Sequence, residues 1–67
     1  MIFDDLLEAL DVLLDLEISA RDFYVVAGKK AQNGELKADL GKIHAQEIGH
    51  VALVTEMIRL VKEEIGK

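Results

Sequence analysis

Lys29-Lys30-Ala31-Gln32-Asn33-Gly34 is the stretch that decides the fold. Asn-Gly readily adopts left-handed or turn conformations, and the two lysines before it suit the negative end of a helix dipole. No other sharp punctuation occurs in the 67 residues, and there is no proline. The chain therefore reads as all-α, an antiparallel hairpin in a single domain over residues 1–67, with a helix over about 4–31, a turn over about 32–34 and a helix over about 35–65. In the first helix Phe3, Leu6, Leu10, Leu13, Glu17, Ala20, Tyr24, Ala27 and Ala31 form a heptad-like stripe. Leu7, Leu14, Leu16 and Phe23 flank it, while Glu8, Asp15, Asp22 and Lys29 recur on the solvent side. In the second, Leu36, Leu40, Ile43, Glu47, His50, Val54, Met57 and Val61 form the stripe, with Leu53, Leu60 and Ile65 beside it. Asp4 and Asp5 offer an N-cap and an acidic first turn, and Gly66 a stop. Gly28, Gly41 and Gly49 each weaken a helix by ~1 kcal/mol against alanine, and close helix approach is one reason to keep such a residue.

Three stripe positions are polar. Glu17 interrupts the first helix, and Glu47-Ile48-Gly49-His50 places a carboxylate and an imidazole three apart on one face of the second. For a hairpin folded about Asn33, a rise of ~1.5 Å per residue puts Glu17 at ~24 Å from the turn, Glu47 at ~21 Å and His50 at ~26 Å. Face and level are separate tests, and both bring the three into one layer. A lone hairpin leaves the far side of both stripes open, so a two-fold partner is expected to close a four-helix bundle as an obligatory homodimer. The layer then holds four carboxylates and two imidazoles, the ligand set of carboxylate-bridged di-iron bundles. Without cations the clustered carboxylates repel and lose hydration, whereas two divalent ions balance four negative charges. Iron, two per dimer, is the expected metal; manganese and zinc suit the same oxygen and nitrogen donors.

Composition sets the outer limits. A chain this short buries too little apolar surface to be comfortably stable alone, and the absence of cysteine rules out disulfides and thiolate metal sites as staples. A formal charge of −5 argues against nucleic acid and anionic membranes as partners. No apolar run reaches the roughly 20 residues of a membrane span, and Met1-Ile2-Phe3-Asp4-Asp5 lacks a basic leader, so the expected location is cytoplasmic.

Other residues have blander readings. A glutamate or histidine at a stripe position is often a boundary residue whose stem packs while its head reaches water. Tyr24, seven residues after Glu17, either fills core or donates a hydrogen bond from its hydroxyl to a site carboxylate without touching the metal itself. His44 lies away from the stripe centre and reads as a surface or interface residue, and Arg21 and Lys42 read as rim charges. Asp4, Asp5, Glu8 and Asp11 are explained by helix capping and solubility. Val12, Ile18, Val25 and Val26 on the outer face suggest a further interface, hence a higher homo-oligomer.

The stretch from Glu17 to Ala27, followed by Gly34-Glu35-Leu36-Lys37 and Ile43-His44-Ala45-Gln46-Glu47-Ile48-Gly49-His50, resembles half of a rubrerythrin domain of the ferritin-like superfamily. Over roughly residues 10 to 60 it is most similar to the short two-helix, encapsulated-ferritin type. That resemblance implies a ferritin-like four-helix bundle built from two chains. It implies Glu17 and His50 as terminal ligands, Glu47 as a bridging ligand and Tyr24 nearby, in a site that binds iron(II) and oxidises it with dioxygen or peroxide. Full-length rubrerythrins also carry a cysteine-bound iron domain, so peroxide reduction here implies an external electron donor; the encapsulated members imply a protein shell as partner. Two readings stay beside ferroxidase activity: a non-enzymatic dimerisation scaffold whose polar layer fixes register, and a metal-binding hairpin without turnover.

Overall fold

A computed structural model describes residues 2–67; Met1, at the head of the segment read for a leader, lies outside them. Two helices, α1 (Ile2–Lys30) and α2 (Gly34–Ile65), account for nearly all of the described chain. They pack antiparallel into a rod of 51 × 14 × 12 Å. At a rise of ~1.5 Å per residue, that length is one long helix, and the cross-section is a single helix pair.

Local chemistry fixes the ends. Asp4 and Asp5 lie inside the first turn of α1, where their charge meets the positive end of the dipole. Asp4 is therefore not the N-cap that the sequence suggests, because the helix already begins at Ile2. Lys29 and Lys30 occupy the last turn. The turn also differs from expectation, since no described residue has a positive φ. Asn33 sits instead in extended backbone (φ −73°, ψ 125°) as the N-cap of α2, and its side-chain oxygen accepts from the Leu36 N–H at 2.9 Å. An asparagine that caps a helix has no need of the left-handed region. Gly66 ends α2, its N–H donating to the Lys62 carbonyl at 3.0 Å. Along the solvent side of α2, Arg59 pairs with Glu56 and Glu63 and holds the Glu56 carboxyl below its ordinary value. So exposed a network adds little stability.

The seam between the helices is narrow. Leu7, Leu10, Leu14, Glu17, Arg21, Tyr24 and Gly28 of α1 meet Leu40, His44, Glu47, Val51, Val54, Ile58 and Val61 of α2, two columns with alternating three- and four-residue steps. Among the described residues Leu10, Val54 and Ile58 are the buried ones, and Leu7, Leu14 and Val61 pack around them. The apolar stripe is wider than this seam. Leu6, Leu13, Ala20 and Ala27 of α1 and Leu36, Ile43, His50 and Met57 of α2 recur every seven residues along its edge, and Leu6, Leu13, Leu36 and Met57 are exposed. With about 100° per residue and opposite chain directions, these two columns lie on the same flank of the hairpin. On α2 the sequence stripe therefore omits three seam residues, His44, Val51 and Ile58, and includes His50 and Met57, which stand at the edge.

None of the helical glycines serves close helix approach within the hairpin. A Cβ on Gly28, Gly41 or Gly49 would meet nothing within 4 Å. Their helix-weakening effect is not offset by intrachain packing. Among the described residues, no helix is long and apolar enough to cross a membrane.

Candidate metal centre

The hairpin register places the polar layer. Arg21 and His44 meet across the seam, 12 and 11 residues from Asn33, and Glu17 meets His50, 16 and 17 residues from it. Glu17 projects from the middle of α1, while Glu47 and His50, one turn apart on α2, approach it from the other side. Each offers one ligand atom, and the three atoms lie within 4.8 Å of one another. His50 Nδ1 is 3.3 Å from Glu17 Oε2 and 3.5 Å from Glu47 Oε1. The carboxylates are sheltered, with side chains 22% and 15% exposed, but the imidazole at 55% stands on the uncovered flank. One side of the cluster is thus protein and the other is open.

Two atoms define its chemistry. Glu17 Oε2 and Glu47 Oε2 are buried and have no hydrogen-bond partner. Glu17 Oε2 lies near His50 Nδ1, but the angles do not make that contact a hydrogen bond. Buried carboxylate oxygens ordinarily find a donor, and leaving one without costs more than an average hydrogen bond contributes. The strain shows in protonation: Glu47 is held above its ordinary carboxyl value, first by the neighbouring Glu17 carboxylate, with which it would share a proton, and then by burial and the Glu17 charge, with His50 opposing. A divalent cation fits this donor set, since it supplies the positive charge both oxygens lack and accepts an imidazole nitrogen as well. The three donors leave coordination positions to be filled from the open side.

Residues around the cluster fall into two groups. Tyr24 lies in the seam but packs edge-on against Phe23, ring centroids 5.3 Å apart, and its hydroxyl has no hydrogen-bond partner among the described residues. His44 is not simply a surface residue. Its Nδ1–H donates to the Arg21 carbonyl at 3.2 Å, a tie between the helices close to the polar layer. The signal for this was its place in the three- and four-residue rhythm of the seam, one residue away from the column of Ile43 and His50. Arg21 pairs with its neighbour Asp22 at 3.1 Å and not with the cluster acids, although its position is in the seam column and not at the rim. Val12 and Val26 are exposed, whereas Ile18 and Val25 are half-buried.

No family model, no curated protein and no solved structure matches the chain. The functional reading therefore rests on the site.

Proposed function

We propose that the hairpin is half of a carboxylate-bridged di-iron protein, completed by a two-fold partner into a ferritin-like four-helix bundle, and that it oxidises iron(II) with dioxygen or peroxide. The observation that carries the reading is the pair of partnerless buried oxygens on Glu17 and Glu47, with His50 Nδ1 beside them. Glu17 and His50 would each serve as a terminal ligand, and Glu47, the most sheltered of the three, as the bridging one. A second copy supplies the same three donors from the opposite face, so that four carboxylates meet two divalent cations. Bound iron supplies one electron per ion to the oxidant. The chain's own work is to hold the donors at fixed separation, to exclude bulk water on the seam side and to leave positions open for the oxidant. The roles that follow are iron detoxification and oxidative-stress defence, with an external electron donor where peroxide is reduced repeatedly and a shell or larger homo-oligomer where iron is stored. Manganese or zinc would occupy the same ligands without this turnover.

Anaerobic iron(II) titration of the metal-free chain tests the site. Saturation near one iron per chain supports the shared pair, and absence of specific uptake refutes it. Oxygen consumption on adding iron(II) then separates turnover from simple metal holding. A metal-free scaffold is the second reading, favoured by the contacts His50 makes to both acids, which resemble a register-fixing polar layer. Under that reading a chelator changes neither mass nor melting temperature.

A further inference from the structure

A groove of about 320 Å³ opens between the helices on the turn side of the polar layer, and none of the three cluster residues lines it. Its size is at the lower end of small-molecule sites. Tyr24 and Val25 supply an apolar wall, and Gly28 on α1 and Gly41 on α2 widen it from either helix. A Cβ on either glycine would meet nothing within 4 Å, so neither is held by intrachain packing, and the space each leaves belongs to the groove.

The charge around this groove runs against the rest of the chain. Acids outnumber bases 13 to 8 overall, yet the lining contains Lys29 and Lys37 and no acid. Neither lysine has a carboxylate partner among the described residues, so both ammonium groups are available to a ligand. His44 completes the lining; its Nδ1–H is committed to the Arg21 carbonyl, so Nε2 is the ring's remaining polar atom. Apolar wall, missing side chains and unpaired ammonium groups together describe a ligand with a short hydrocarbon body and one negative head.

We infer that the groove binds a medium-chain carboxylate, its alkyl chain lying against Tyr24 and Val25 across the two glycines and its head group between Lys29 and Lys37. Lysine suits this role because its ammonium is a mobile point charge that follows a single carboxylate. The inference does not depend on the metal site, since no ligand residue is shared.

Octanoate is the probe, titrated into the full chain while backbone amide resonances are followed, with octanol as the uncharged analogue. The expected result is saturable shifts centred on Tyr24, Val25, Gly28 and Gly41, with octanol about tenfold weaker. Gly41→Leu fills the groove and abolishes the shifts while circular dichroism reports an intact helix; Gly28→Leu replaces it if helicity falls. Lys37→Glu weakens octanoate about fivefold, the scale of an exposed charge pair. Equal binding of octanol and octanoate overturns the inference, as does wild-type affinity in a helical glycine variant. So does a ligand-independent particle mass that drops in Gly41→Leu, because a second copy would then be the occupant.

Discussion

Leu13→Ala separates a covered flank from a merely exposed one. Leu13 stands in the outward column one turn before Glu17 and is 37% exposed in the hairpin. If a second copy covers that flank, the exposed part of the side chain becomes buried on assembly. Truncation removes about three CH2 equivalents, each worth ~0.8 kcal/mol when fully buried. Scaled by the exposed fraction, the loss is ~0.9 kcal/mol per chain, or ~1.8 kcal/mol for two symmetric chains. That weakens the dimer dissociation constant about twentyfold. Sedimentation equilibrium over a concentration series, with and without iron(II), measures it. Val12→Ala is the control: Val12 is more exposed, at 56%, but lies off the outward column, so the dimer constant should not move. A wild type that stays monomeric at every concentration, or a Leu13→Ala constant within twofold of wild type, refutes the two-fold bundle.

Glu47→Gln should lose uptake at both metals, because a bridging group touches both, and it should also change the pH dependence of the metal-free fold. A carboxyl raised above its ordinary 4.5 favours the proton-bound folded chain, so stability contributed by Glu47 rises as pH falls from neutrality through the raised value and is complete below the unfolded one. Urea midpoints across that range in chelator should show this rise in wild type and a flatter profile in Glu47→Gln; an identical slope in both argues against the acid pair. His44→Ala removes the tie to the Arg21 carbonyl and should lower stability by about 1 kcal/mol without altering iron stoichiometry, as urea unfolding and metal analysis would read. Asn33→Ala should cost about 1 kcal/mol through loss of the cap to Leu36, and Asn33→Ser, which keeps a capping oxygen, much less; a role in left-handed backbone would instead make serine about as costly as alanine.

The all-helical hairpin was legible because its two signals are local: a period near 3.6 in the apolar residues and a break at Asn33-Gly34. The convergence of Glu17, Glu47 and His50 was legible as well, since equal distance from a turn fixes axial level in any antiparallel pair. The details that depend on competing partners were less readable. Asn33 had a turn use and a capping use, and the free N–H of Leu36 decided between them. Asp4 looked like a cap because the sequence does not show how far a helix runs beyond its acidic turn. His44, Val51 and Ile58 were left out of the apolar stripe because a stripe marks the average direction of burial, whereas a seam with one neighbour lies to one side of it.

That angular offset bears on why this chain keeps a costly polar layer. A helix packed against one neighbour needs a single column of three- and four-residue steps, and both helices have it. Both also carry an additional heptad column on the same flank, Leu6, Leu13, Ala20 and Ala27 facing the same way as Leu36, Ile43, His50 and Met57. With three residues buried among those described, the hairpin alone has a core too small to hold long helices together. Glu17 and Glu47 sit in the inner columns and His50 in the outer one, so the cluster straddles the line between what the hairpin covers and what it leaves open. Covering the flank without cations would desolvate His50 and trap the carboxylates in a larger apolar core, which opposes assembly. Bringing in cations reverses the sign of that term, because buried carboxylates become ligands. Metal binding and association should therefore be linked, each strengthening the other by the same factor. Iron(II) that binds as tightly to a forced monomer as to the associated chain would break that link, and with it the reason for placing acids in the seam.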